Sequence, residues 1–214
     1  MRFLCFQIIS VLVFPSSGQS SNAHHDPLLI IKVVAKRLLC YLEFTDMKNS
    51  STKLIVLRGP SGSGKTSTAR MLRTLQERPT ALIEQDYVRR IILKEKDIAR
   101  GFNIELIKTM TRMALDNSFD VILEGIFDAG RYENMFEELI QTHPKNNYFF
   151  YFDISFEETL VRHQSKPNKD DFGEKEMRRW YKEQDFLKCV KEILIPETNT
   201  LEDTVKSISA LSGF

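Results

Sequence analysis

The chain has 214 residues, 42% hydrophobic and 28% charged, which suits one ordinary globular domain, or one domain plus a tail. Its 30 basic and 29 acidic residues leave a net charge of +1, so charge gives no argument for a polyanionic partner such as duplex nucleic acid. Cys5, Cys40 and Cys189 are odd in number and widely spaced, which argues against a disulfide framework and against a zinc site.

Residues 1–21 have the outline of a secretory signal: Arg2, an apolar run from Phe3 to Phe14, then small and polar residues. That run is short for a membrane span, and the next apolar stretch, Leu28 to Leu42, is broken by Lys32, Lys36 and Arg37. Residues 1–46 are therefore expected to be an extension outside the fold. A signal, an anchor or an ordered extra helix are the alternatives. The compact domain is expected over residues 47–214.

Lys53 to Leu57 is an apolar run ending in a glycine-rich turn, which predicts a buried strand. Thr66 to Leu75 follows with Ala69, Met71, Leu72 and Leu75 at helical spacing. Thr80 to Gln85 predicts a second strand with Asp86 at its carboxyl end, and Tyr87 to Lys96 a helix. Ile104 to Leu115 carries one apolar stripe and predicts a helix lying on the sheet. Phe119 to Leu123 is a third strand ending at Glu124-Gly125, and Tyr132 to Ile140 a further helix. Asn147 to Asp153, with five consecutive aromatic residues, predicts a strand buried on both faces. Ser155 to Glu158 reads as a capping box opening a helix to about Gln164. A polar loop from Ser165 to Asp171, a helix from Glu174 to Leu187, a strand from Glu192 to Pro196 and a helix from Leu201 to Leu211 complete the chain. Strands alternating with helices imply right-handed crossovers and a parallel sheet of about five strands.

The segment Gly59-Pro60-Ser61-Gly62-Ser63-Gly64-Lys65-Thr66 matches G-x-x-x-x-G-K-[ST] in full, between a strand and a helix. Its glycines let successive backbone N–H groups face an anion, and the helix aims its positive end at the same point. Gly59 through Thr66, together with Ser67, are thus the expected nucleotide-binding residues. Lys65 would meet the terminal phosphates, and the Thr66 hydroxyl would ligate Mg²⁺.

Asp86 would stand beyond the carboxyl end of its strand, where ligands of open parallel sheets bind. There it could take the proton of an attacking hydroxyl, with a helix-capping role as the bland reading. Glu124 is expected to hold Mg²⁺ through water or to orient a substrate, and Asp128 is a weaker candidate for the same rim. Arg162, Arg178 and Arg179 bracket the polar loop and could close on charge developing in phosphoryl transfer; the bland reading is surface ion pairing. Among these, Arg162 and Arg178 join Lys65 and Asp86 as expected catalytic residues. Arg89 and Arg90 follow Asp86 and are candidates for substrate contact. His143 and His163 have no partners at metal-ligand spacing.

At these residues the sequence resembles small P-loop kinases related to zeta toxins, chloramphenicol phosphotransferase and gluconate or nucleoside kinases. The strings are LIVLRGPSGSGKTS, IEQDYVRR, VILEG, YFDISFEETLVRH and FGEKEMRRWY, and the resemblance runs from about residue 52 to 208. The last two are similar to a bacterial set of kinases, some carrying a uridine kinase label. The resemblance implies an α/β P-loop NTPase fold of nucleotide-kinase type, a five-stranded parallel sheet with a small lid at about residues 163–180. It further implies Lys65 and Thr66 at ATP and Mg²⁺, Asp86 at the acceptor hydroxyl, and Arg162 beside the lid. The lid departs from the pattern at Lys166, where an arginine before the proline is expected and its bidentate fork is lost.

The expected activity is transfer of the γ-phosphoryl group of ATP to a hydroxyl of a small molecule: a nucleoside, a sugar, a nucleotide sugar or an antibiotic. An ATP-hydrolysing switch and a polynucleotide 5′-hydroxyl kinase are the alternatives. Neither nucleic acid nor a protein partner is called for by the residues. A site consuming ATP places the domain in the cytoplasm, against the signal-like start.

Overall fold

The computed structural model describes residues 34–36, 52–165 and 169–214. The chain divides into two units, Met1–Leu42 and Glu43–Phe214. In the first, residues 34–36 are helical and exposed; the signal-like run of residues 1–21 lies outside the described residues. So does Lys166. The fold below is that of the second unit. Among the described residues no helix is long and apolar enough to cross a membrane.

Strands β1 (Leu54–Arg58), β2 (Thr80–Glu84), β3 (Asp120–Glu124), β4 (Asn147–Asp153) and β5 (Ile193–Pro196) form one sheet in the order β2-β3-β1-β4-β5, with every neighbouring pair parallel. Helices α1 (Lys65–Thr74), α2 (Phe102–Asp116), α3 (Ala129–Thr142), α4 (Phe156–Gln164) and α5 (Glu174–Trp180) lie in the connections between strands, and α6 (Leu201–Ser212) follows β5. Successive residues of a strand face opposite sides, so an uninterrupted apolar strand needs cover on both. Leu54 and Val56 pack with Phe136, Leu139 and Phe149 on one face. Ile55 and Leu57 pack with Ala69, Leu72, Phe150 and Ile208 on the other. Helices α2 and α3 cover the first face, and α1 and α6 the second.

The predicted strands and most helices agree with the structure to within a few residues. Two helices are shorter. The segment after Asp86 is a six-residue π-helical turn, Tyr87–Ile92, rather than a helix to Lys96. Val88 is its one buried residue, so no apolar stripe holds an α-helical register. Glu95 meanwhile leaves to cap α2, accepting from the amides of Phe102 and Asn103, both at 2.8 Å. Those bonds hold its carboxyl below the usual range, the Asn103 side-chain amide foremost.

Helix α5 stops at Trp180 instead of Leu187. Tyr181 turns extended, its ring meeting Phe156 edge-on at 5.3 Å and its hydroxyl donating to the Ile154 carbonyl at 3.1 Å. Tertiary partners thus outcompete the local helical preference. The capping box before α4 is half formed. Ser155 Oγ accepts from the Glu158 amide at 3.3 Å, but Glu158 binds Arg162, and the Ser155 amide donates to Glu197 at 3.0 Å.

Candidate active site

Parallel strands end on one rim, where Arg58, Glu84 and Glu124 close β1, β2 and β3. β1 lies between β3 and β4, with Leu57 in register with Glu124 and Phe150. The turn leaving β1 therefore opens between the ends of two strands. Gly59 and Gly62 have φ of +137° and +89°, and a Cβ on them would sit 2.8 Å from the Phe152 carbonyl oxygen and 2.7 Å from that of Thr159. Both positions demand glycine on two counts. Gly64, at φ 99°, is the N-cap of the ten-residue α1, so the positive end of that helix faces the loop.

Lys65 is nearly buried, and its ammonium donates to the Pro60 carbonyl at 2.7 Å and to Ser63 Oγ at 3.1 Å. It lies across the mouth of the loop. The Thr66 hydroxyl donates to Glu124 Oε1 at 3.2 Å. Glu124 is 4% exposed. Burial pushes its carboxyl up to about 7, against the pull of Lys65, with Glu84 adding to the rise. Glu84 is opposite Glu124 in the β2–β3 register and takes a forked bond from Arg70 at 2.9 and 3.1 Å.

A hydroxyl and a carboxylate side by side at the phosphate loop are the donor set that Mg²⁺ uses when it keeps water and phosphate oxygens as its other ligands. Among the described residues no group of three or more His, Cys, Asp or Glu could hold a metal unaided. The residues present fit a cation brought in with a triphosphate.

The raised carboxyl of Glu124 has a consequence for stability. A carboxyl whose folded pKa exceeds its unfolded value stabilises the fold below the unfolded value, and that contribution is lost as pH rises through the folded one. Glu124 should thus make the protein less stable as pH climbs from 4.5 to about 7, and Glu124→Gln should flatten that part of the profile. Melting temperatures of both proteins across this range check it; parallel slopes would contradict it.

Asp86 is 57% exposed in its side chain; its Oδ1 accepts from Arg89 at 2.7 Å and forms an ion pair with Arg90 at 3.4 Å. It makes no side-chain cap, so the capping role weighed for it from sequence is absent. Arg162 touches the loop itself. It donates to the Ser63 carbonyl at 3.0 Å, to Glu158 at 2.7 Å and to the Glu197 carbonyl at 2.7 Å. Beside it a cleft of about 350 Å³ runs from Gly64 and Ser67 to Ile195, Asn199 and Thr200.

Arg178 is placed differently from the clamp expected of it. Its guanidinium lies 3.9 Å from the centroid of the Phe156 ring and pairs with Glu174 at 3.4 Å. Arg179 is exposed. The aromatic face offers a stronger local partner than open solvent, which accounts for the direction of Arg178. Asp128 is nearly buried and bonded to Lys182 and Arg131. Burial raises its carboxyl, but the two cations outweigh that and hold it below the usual range.

Two rim residues escaped the sequence reading. Glu84 becomes a neighbour of Glu124 only through strand order. Arg58 is fully buried at the end of β1 and bonds Glu192, the Phe127 carbonyl and Asp185. Its signal was a charge closing an apolar strand directly before Gly59.

The strand order, the glycine cradle and the lysine and threonine at the helix start define a P-loop nucleoside-triphosphate-binding domain with the architecture of the nucleotide kinases. The chain belongs to the AAA domain family, whose model matches residues 54–186. No curated protein matches the sequence. Solved structures show the same fold. An APS kinase of Mycobacterium tuberculosis, in complex with AMPPNP and APS, is 14% identical at a TM-score of 0.60 over 77% of this chain and 99% of its own. A gluconokinase of Sinorhizobium meliloti is 15% identical at 0.52, over 77% and 95%. The tunicamycin resistance protein of Deinococcus radiodurans is 16% identical at 0.52, over 76% and 96%.

Proposed function

We propose that this chain is an ATP- and Mg²⁺-dependent phosphotransferase that moves the γ-phosphoryl group to a hydroxyl of a small molecule. The observation that carries this reading is the pairing, on one rim, of a phosphate cradle after β1 with an exposed carboxylate, Asp86, after β2. A binding switch needs the first and has no need of the second. The similar structures include kinases named for two small-molecule acceptors, APS and gluconate, which supports the class without naming an acceptor here.

In this reading the backbone N–H groups of residues 61–66 and the Lys65 ammonium hold the β- and γ-phosphates, and Arg162 approaches from the Ser63 side. The cleft bounded by Ile195, Asn199 and Thr200 receives the nucleoside. When bound, Mg²⁺ neutralises charge on the phosphate oxygens. Thr66 and Glu124 would hold it, Glu124 as a carboxylate. The Asp86 carboxylate takes the proton of the acceptor hydroxyl as its oxygen bonds to the γ-phosphorus and the bond to the bridging oxygen breaks, leaving ADP. Such a reaction draws on the nucleotide pool of the cytoplasm.

A panel of hydroxyl metabolites assayed for ATP-dependent phosphorylation tests the class. ATP turnover should rise strongly with the correct acceptor; turnover indifferent to every hydroxyl compound would favour a switch. Asp86→Asn should lower transfer by about 100- to 10,000-fold while nucleotide binding persists. An unchanged rate would remove Asp86 from the chemistry.

A further inference from the structure

Asp86 is exposed, yet the residue before it is buried. Gln85 Nε2 donates to Tyr132 Oη at 2.7 Å, and Gln85 Oε1 accepts from the Phe127 amide at 3.1 Å. Both ends of that side-chain amide are filled, so the backbone carrying Asp86 is tied from behind to α3 and to the turn after β3.

Tyr132 is fully buried, and burial pushes its phenol up, so the group keeps its proton. The oxygen accepts from Gln85 and has a single hydrogen to give. Two acceptors stand within reach, Asn103 Oδ1 at 2.7 Å and Asp97 Oδ1 at 3.0 Å. Asp97 also has Arg131 at 3.2 Å, whereas Asn103 Oδ1 has no other donor among the described residues. The hydrogen therefore goes to Asn103. Asn103 Nδ2 in turn donates to Glu95 Oε2 at 2.9 Å. The Glu95 backbone bonds Arg89 twice, its amide donating to the Arg89 carbonyl at 2.8 Å and its carbonyl accepting from Arg89 Nη1 at 3.3 Å. Arg89 Nη2 donates to Asp86 Oδ1 at 2.7 Å. The bonds thus close a ring that leaves Asp86 through Gln85 and returns to its carboxylate through Arg89.

We propose that Tyr132 is a positioning residue for phosphotransfer, its hydroxyl fixing the backbone of Asp86 through Gln85 and the carboxylate of Asp86 through Asn103, Glu95 and Arg89. The proposal rests on the phosphotransferase reading above. Among the described residues none of the ring's hydrogen bonds goes to residues 59–66, so ATP is held whether or not the ring is intact. Loss of the hydroxyl leaves Gln85 Nε2 and Asn103 Oδ1 buried without a partner, and the segment between them shifts to satisfy them. A tyrosine that only filled the core would lower stability and leave turnover by the folded protein as it was.

Tyr132→Phe removes one oxygen and keeps the aromatic ring. Turnover is measured on the full-length protein with ATP and the best acceptor of the metabolite panel, below the melting temperature of every variant. kcat should fall about 10- to 100-fold, the scale of a misplacement of about 1 Å, with KM for ATP within about twofold of the parent. Gln85→Met, which opens the ring at the neighbouring bond, should act alike. Leu139→Ala, a cavity on the same helix with no polar partner, should lower the melting temperature and leave kcat alone. The deciding measurement is a double-mutant cycle: added to Asp86→Asn, Tyr132→Phe should change kcat by less than about twofold. Amide hydrogen exchange, which needs no acceptor, should quicken about tenfold or more over residues 85–103 in Tyr132→Phe and stay at the parent's rate over residues 54–74. An unchanged kcat, a loss that adds in full to that of Asp86→Asn, or unchanged exchange over residues 85–103 overturns the proposal and leaves phosphotransfer standing. So does a rise in KM for ATP as large as the fall in kcat. A panel in which no hydroxyl compound raises ATP turnover defeats the phosphotransferase reading and takes this role with it.

Discussion

Lys65→Ala is expected to lower ATP-dependent transfer by at least about 100-fold, the scale on which removing one preorganised charge-stabilising donor acts. The ammonium lies across the phosphate loop, held by the Pro60 carbonyl and the Ser63 hydroxyl. It is the one full positive charge that the loop itself supplies. In a nearly buried position its attraction for phosphate oxygens is stronger than it would be in water. The same substitution removes a charge that holds the Glu124 carboxyl down. With Lys65 gone, that carboxyl should stay protonated to still higher pH, and Mg²⁺ should bind the nucleotide complex less well at neutral pH. Steady-state turnover and Mg²⁺ titration of both proteins test the two effects together. Near-normal turnover would contradict the assignment of the whole loop.

Arg58→Met is expected to destabilise the domain by about 3–5 kcal/mol, the cost of leaving one partner of a buried ion pair alone. Arg58 is 0% exposed and donates to Glu192 at 2.8 and 2.7 Å, to the Phe127 carbonyl at 3.1 and 2.7 Å and to the Asp185 carbonyl at 2.9 Å. Truncation strands the Glu192 carboxylate, which is itself nearly buried. For a domain of this size each kcal/mol moves the melting temperature by roughly 2–4 °C, so a drop of about 6–20 °C should appear by circular dichroism. The double substitution Arg58→Met with Glu192→Leu should recover part of the loss, because no lone charge remains. Recovery stays partial since Glu192 also accepts from the Leu187 amide at 2.8 Å. A single variant within about 1 kcal/mol of the parent would show that the Arg58 network contributes little.

Arg58 also shows why part of the site could not be read from the chain. Local patterns announce themselves. Apolar runs of strand length, stripes at helical spacing and the glycine-rich loop each depend on residues close in sequence, and the phosphate cradle is built wholly from such a segment. Asp86 and Glu124 were legible by the same logic, as carboxylates closing predicted strands. Glu84 was not, because its nearness to Glu124 arises from the pairing of β2 with β3. Arg178 was misplaced for a related reason. Arg178 has more than one partner within reach, Glu174 on its own helix and the Phe156 ring on another, and the ring lies nearest its guanidinium.

By itself the sequence determined the order of strands and helices, the cradle from Gly59 to Thr66, and a rim carrying Asp86 and Glu124. Hydrogen bonding in helices and turns, together with the alternation of strands, is decided by near neighbours. Tertiary structure alone decided that Thr66 meets Glu124, that Arg162 reaches Ser63, that α5 ends at Trp180, and that Arg90 faces that indole. Each of these contacts joins residues far apart in the chain. Which partner wins there depends on where the strands place them, and on the cost of leaving a buried charge unpaired.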